Sequence, residues 1–186
     1  MPVNVLNAKK KKSATGAKRW ILWGSITLFM LFLDQISKIW IRGQLKLGES
    51  ISIIDPWFRL TYVENRHAIF GLKIPVEWFF LPAAIISIVL IIHYLWRLDH
   101  DQTGMVAALG IVTGGALGNI LDRFLYNQVT DFIDMGINES WRWYIYNLAD
   151  AFILIGIVFV FLCDFREKAR PVDNIESENI SSEVVS

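Results

Sequence analysis

Four apolar stretches dominate this chain, at Trp20 to Trp40, Trp78 to Trp96, Met105 to Phe124 and Tyr144 to Phe165. Each is close to the roughly 20 residues that a helix needs to cross about 30 Å of hydrocarbon. A chain with four such segments is constrained to a helical bundle in a bilayer. Composition agrees, because 54% hydrophobic residues, only 19% charged residues and eight tryptophans are too apolar for an ordinary soluble domain. The first stretch follows a basic region, as a cleavable signal peptide does. It is too long for one, lacks a small-residue cleavage site and precedes three further spans, so it reads as a retained helix.

The formal net charge of zero hides an uneven distribution. Lys9, Lys10, Lys11, Lys12, Lys18 and Arg19 precede the first span, and Arg166, Lys168 and Arg170 follow the last. Positive charge marks the cytoplasmic side, which places both termini in the cytoplasm. The segments Arg42 to Glu77 and Leu125 to Trp143 then lie outside and the turn Arg97 to Gly104 inside. The expected organisation is a basic, flexible N-terminus at 1–19, a membrane domain at 20–165 and a flexible polar tail at 166–186. Within the first external segment, "ISIIDPWFRLTYVENRHAIF" alternates apolar and polar residues around Pro56, which predicts short strands. The expected fold class is therefore membrane all-α, with four transmembrane helices and a small extracytoplasmic β-cradle at about 43–76, after the first helix. Trp57, Phe58 and Tyr62 are candidate interfacial anchors. The segment at about 125–143 is expected to be a loop. The single cysteine, Cys163, excludes an intrachain disulfide and reads as a packed thiol.

Polar residues in or beside such spans cost roughly 2.5 to 3.5 kcal/mol each unless they are paired or face water, so they mark the sites worth testing. Gly110, Gly114 and Gly118 recur every four residues, a spacing that permits close helix approach. Asn119 and Asp122 follow on the same helix, with Arg123 next to them. Asn147 and Asp150 repeat the Asn-x-x-Asp spacing about two turns into the fourth span. Asp131, in "QVTDFIDM", is flanked by Val129, Phe132 and Ile133, which should draw its loop toward apolar surroundings, whereas Asp134 is expected to face solvent. On the first span Asp34 and Lys38 stand at i and i+4, the spacing of an intrahelical ion pair. Carboxylates brought together cannot all ionise, and a pair sharing one proton can activate water for peptide hydrolysis. A transporter would need acids at both membrane faces, and a scaffold would need no paired Asn-x-x-Asp faces.

These residues lie in five blocks: "DQISK" at Asp34 to Lys38, "NRHAIFG" at Asn65 to Gly71, "GGALGNILDR" at Gly114 to Arg123, "VTDF" at Val129 to Phe132, and "YNLADAFILIG" at Tyr146 to Gly156. In that order they resemble the lipoprotein signal peptidases, or signal peptidase II, from roughly Leu33 to Gly156. The resemblance implies a bacterial inner-membrane aspartic endopeptidase that cleaves diacylglyceryl-modified prolipoproteins immediately before the lipidated cysteine. His67 stands where the family commonly has glycine, and Ile69 where it has a small residue.

Carried over by motif, the catalytic aspartates are Asp131 and Asp150. Asn65, Asn119, Asp122, Arg123 and Asn147 are substrate-binding or supporting residues, and Asp34 with Lys38 forms a structural ion pair. Sequence chemistry by itself leaves Asp122 and Asp131 as alternatives, although a cation adjacent to Asp122, Arg123, would hold it ionised and occupied. The expected partners are diacylglyceryl-modified prolipoproteins and membrane lipid, with no nucleic acid, no cofactor and no metal, and the expected state is a monomer.

Overall fold

A backbone in hydrocarbon must satisfy its own hydrogen bonds, so apolar runs of this length close into helices. The computed structural model describes residues 3–65, 77–98 and 102–168. Among these residues four helices form: α1 (Val3–Gln44), α2 (Glu77–Arg97), α3 (Thr103–Tyr126) and α4 (Leu148–Lys168). Gly16–Gln44 of α1, all of α3 and all of α4 are long and apolar enough to cross a membrane, and α2 adds the shorter apolar stretch Pro82–Arg97.

Two boundaries differ from expectation. α1 begins at Val3, so the basic stretch before Trp20 continues the first helix. Its alanines, lysines and leucine are good helix formers, and elongating an existing helix is far easier than nucleating one. α4 begins at Leu148 rather than Tyr144, because Tyr146 is held extended by mutual backbone bonds with Ile133.

The central helix is α3, which packs on α1, α2 and α4. Its glycines divide between two seams. A β-carbon on Gly114 would lie 2.6 Å from Met30 Cβ and 2.8 Å from the Thr27 carbonyl, so this seam admits α1 at backbone distance. On the other side a β-carbon on Gly115 would lie 2.5 Å from the Ala149 carbonyl, and one on Gly156 of α4 would lie 3.1 Å from the Ala108 carbonyl. Close approach lets polar groups reach across: Thr27 Oγ1 donates to the Gly110 carbonyl at 3.2 Å and Trp23 Nε1 to Thr113 Oγ1 at 3.3 Å. At the end remote from the sheet, Arg19 donates to the Leu98 carbonyl at 2.7 Å and lies over Trp20, which meets Trp23 and Trp96 edge-on. Cys163 packs in the apolar cluster of this end.

The expected short strands are present as β1 (Ser50–Ile54) and β2 (Phe58–Asn65), but the sheet has a third strand, β3 (Val129–Met135), in the order β1-β2-β3, all antiparallel. β3 falls in the segment expected to be a loop. It is buried along most of its length on both faces, so it lacks the apolar and polar alternation that reveals a half-exposed strand. Two side chains also differ from expectation. Tyr62 is buried with Ile41, Leu45 and Phe132 instead of anchoring at an interface, whereas Trp57 is exposed. Asp134, expected to face solvent, is buried: it accepts from Thr61 Oγ1 at 2.8 Å and from Arg142 Nε at 2.7 Å. A buried carboxylate needs such donors, and Arg142, which also donates to the Pro56 carbonyl at 2.9 Å, closes the loop over the sheet. His67 and Ile69 lie outside the described residues, as do 169–186 of the tail.

Candidate active site

The start of α4 is a reciprocal cap. Asn147 precedes the first helical residue, and its Oδ1 accepts the Asp150 N–H at 3.1 Å while Asp150 Oδ2 accepts the Asn147 N–H at 3.3 Å. The Asn-x-x-Asp spacing here is thus a capping box, which satisfies two N–H groups that a helix end leaves without partners. The same spacing at Asn119 and Asp122 lies inside α3, so the two are not equivalent repeats. Asp150 stands in the first turn, not two turns deep, because the helix starts at Leu148. A carboxylate suits this position, where the helix dipole favours negative charge. A third N–H of this turn, that of Ala149, donates to Asp34 Oδ1 on α1 at 3.0 Å.

With its Oδ1 committed to the cap, Asn147 turns its amide nitrogen outward. Nδ2 donates to Asp131 Oδ1 at 2.6 Å and to Asn119 Oδ1 at 3.1 Å. Asp131 Oδ2 accepts from Asn65 Nδ2 on β2 at 2.8 Å. Asn119 Nδ2 in turn donates to Asp150 Oδ1 at 2.8 Å. Asp131 and Asp150, one on a strand and one on a helix, are therefore joined through two asparagines. Burial pushes the Asp131 carboxyl up to about 7, with the charge of Asp150 adding to the rise and the amides of Asn65 and Asn147 opposing it.

Behind the pair lies a cluster of two acids and two bases. Lys38 Nζ is 2.8 Å from Asp34 Oδ2 and 3.3 Å from Asp122 Oδ2, and all three side chains are 0% exposed. Arg42 Nη1 is 3.9 Å from Asp122 Oδ1. Formal charges cancel, as burial requires. Lys38 also donates to Asn119 Oδ1 at 3.1 Å, which fixes the direction of the Asn119 amide toward Asp150.

This distribution separates Asp122 from Asp131. Asp122 Oδ2 accepts the Thr130 N–H at 2.9 Å besides facing Lys38, and Oδ1 accepts from Gln35 Nε2 at 3.2 Å. Both of its oxygens are occupied and none of its surface is open. The cation that meets Asp122 most closely is Lys38, not its sequence neighbour Arg123, whose Nη1 donates to the Asn119 carbonyl at 3.2 Å. Consecutive residues on a helix point about 100° apart, so adjacency in sequence does not produce a contact. The negative charges of Asp150, Asp131 and Asp122 all act on Arg123, that of Asp150 most.

The structure thus brings Asp34, Lys38, Asn65, Asn119, Asp122, Arg123, Asp131, Asn147 and Asp150 into one region. Sequence reasoning passed over Gln35, Arg42 and Thr130. A signal for Arg42 was available, since Asp34, Lys38 and Arg42 stand at i, i+4 and i+8 on one face of α1.

Residues 26–166 match the family model described as Signal peptidase (SPase) II. The lipoprotein signal peptidase of Syntrophomonas wolfei is 39% identical over 151 residues, covering 80% of this chain and 97% of its own. That of Clostridioides difficile is 37% identical over 154 residues, covering 81% and 100%. Two solved bacterial membrane enzymes share the fold. The one determined in meso at 2.3 Å resolution has a TM-score of 0.69 and 27% identity over 77% of this chain and 87% of its own. The other, at 1.9 Å, has a TM-score of 0.66 and 29% identity over 74% and 88%. Matched by the model from the first helix to the end of the last, and by relatives that it covers almost end to end, the chain belongs to the signal peptidase (SPase) II family of membrane peptidases.

Proposed function

We propose that this chain is an aspartic endopeptidase that removes signal peptides from diacylglyceryl-modified prolipoproteins, cutting just before the lipidated cysteine. The observation that carries the reading is Asn147, which donates to Asp131 while capping α4 together with Asp150. It holds two carboxyls as a pair in a setting that favours one proton shared between them. Asp131, the member pushed up to about 7, keeps that proton and hydrogen-bonds the scissile carbonyl oxygen. Asp150, at the helix N-terminus, takes a proton from water as the water attacks the carbonyl carbon. The proton on Asp131 then passes to the leaving amine as the C–N bond breaks. Asn65, Asn119 and Asn147 orient the two carboxyls, and Arg123 balances their charge. Asp34, Lys38 and Asp122 hold α1, α3 and the start of α4 together behind them.

The lipid serves as the address. Two acyl chains left in the bilayer contribute about 0.8 kcal/mol per buried CH₂, which offsets the cost of drawing a polar peptide between helices. The protein acts as a monomer, without a metal, with both termini in the cytoplasm and the paired carboxyls near the outer face of the membrane.

The test is cleavage of a diacylglyceryl-modified precursor by the purified protein, with products weighed by mass spectrometry. Asp131→Asn and Asp150→Asn should each abolish cleavage while the protein still folds, whereas Asp150→Asn with near wild-type turnover would end the aspartic reading. Unmodified precursor should be cut far more slowly than the lipidated form at equal concentration. Equal rates would leave a membrane peptidase that does not read the lipid.

A further inference from the structure

Asp131 sits beside an irregularity in the sheet. Leu60 pairs with Ile133 and Val63 with Asp131, so β2 carries an extra residue opposite Phe132. A bulge interrupts the ladder and re-aims side chains, so the aim of Asp131 depends on more than the bonds of its own carboxyl to Asn65 and Asn147. Further contacts, from outside the sheet, converge on the preceding residue. The Thr130 N–H donates to Asp122 at 2.9 Å, and Thr130 Oγ1 accepts from Arg42 Nη1 at 2.8 Å. Arg42 itself is fixed from a third direction, its guanidinium lying 4.5 Å from the Tyr126 ring centroid at the end of α3. Neighbouring side chains on a strand point to opposite faces. Gripping Thr130 on the α1 side therefore turns Asp131 toward Asn65 and Asn147.

We propose that Arg42 is a positioning residue for Asp131, acting through the Thr130 hydroxyl; the inference rests on the assignment of Asp131 as a reacting group. A planar guanidinium can stack on Tyr126 and bond Thr130 at the same time, whereas an ammonium supplies only the bond.

The experiment measures kcat and KM of the full chain on lipidated precursor for Arg42→Met, Thr130→Val, their double variant, Arg42→Lys and Asp131→Asn. Rates are normalised to folded protein. Arg42→Met and Thr130→Val should each lower kcat roughly tenfold with KM within about twofold, as misplacement of a reacting group predicts. The double variant should fall no more than about threefold below the worse single one, since both changes break one contact. Arg42→Lys should recover part of kcat. An unchanged kcat per folded enzyme, a change confined to KM, or losses that multiply in the double variant would overturn the proposal. Thr130→Val, which keeps the β-branched shape, keeps the test open should Arg42→Met not fold. Loss of cleavage in Asp131→Asn with intact Arg42 and Thr130 variants would reject only the positioning role, whereas an active Asp131→Asn would reject the assignment beneath it.

Discussion

Gly118→Ala measures how closely the helices lock around the paired carboxyls. A β-carbon there would overlap Asp34 Oδ2, with Asp34 Cγ at 3.0 Å and Ala149 Cβ at 3.3 Å. Asp34 cannot yield freely, because Oδ2 holds Lys38 at 2.8 Å and Oδ1 accepts the Ala149 N–H at 3.0 Å. Alanine is favoured over glycine in a helix interior by about 1 kcal/mol. Against that, overpacking costs about 1–3 kcal/mol and depriving a buried charge of its partner about 3–5 kcal/mol. Lys38 would keep Asp122 at 3.3 Å, so the lower part of the second range applies. The net destabilisation is then about 3–5 kcal/mol, a drop in Tm on the order of 10 °C for a chain of this size. Displacing Asp34 also frees the first turn of α4, which carries Asp150, so cleavage per folded enzyme should fall more than about tenfold. Two further glycines calibrate the result. Gly110→Ala would meet Ile26 Cβ and the Trp23 carbonyl, both at 3.1 Å, and should cost less; Gly24→Ala meets nothing within 4 Å and should be neutral or slightly stabilising. Thermal unfolding in one detergent, with cleavage rates on the same samples, makes the comparison. A Gly118→Ala protein as stable and active as wild type, or a series in which Gly24→Ala is the worst, would refute the packing described.

If Asp131 must carry a proton and sits at about 7, kcat/KM should fall as pH rises through that value. Asn65→Leu, which removes a donor to the charged form, should move this limb to higher pH, and movement to lower pH would contradict the assignment. The same upward displacement, from 3.8 in the unfolded chain, means that folding loses stability as pH rises from about 4 through about 7; Asp131→Asn should flatten that slope in unfolding measured from pH 5 to 8. Topology is read by reporters: a fusion after Lys168 should register cytoplasm and an insertion near Asn138 the exterior, and the reverse pattern would put the carboxyls on the wrong face for translocated precursors.

The membrane bundle was legible because length and apolarity suffice to identify a spanning helix, and no tertiary contact is needed to see them. β3 was not, because a strand buried on both sides carries no alternation, and the bond of Tyr146 to its free edge joins residues that local pattern does not connect. Local resemblance also misled at the two Asn-x-x-Asp spacings, which are the same letters in different places: one caps a helix end and the other runs along a helix interior. The choice between Asp122 and Asp131 shows why sequence chemistry stopped where it did. Arg123 beside Asp122 suggested an occupied carboxylate, and Asp122 is occupied, but the occupying cation is Lys38, 84 residues away on α1. Whether a carboxylate is occupied depends on which helix faces it, and that was encoded in the glycines of α3. Gly114 and Gly118 bring α1 close enough for Lys38 and Gln35 to reach Asp122. Asp131, on a strand beyond that seam, meets amides instead of cations, and an amide donor orients a carboxyl without adding the full charge that would strip its proton. The small residues thus decide which of two buried aspartates is gripped by a cation and which is held by amides.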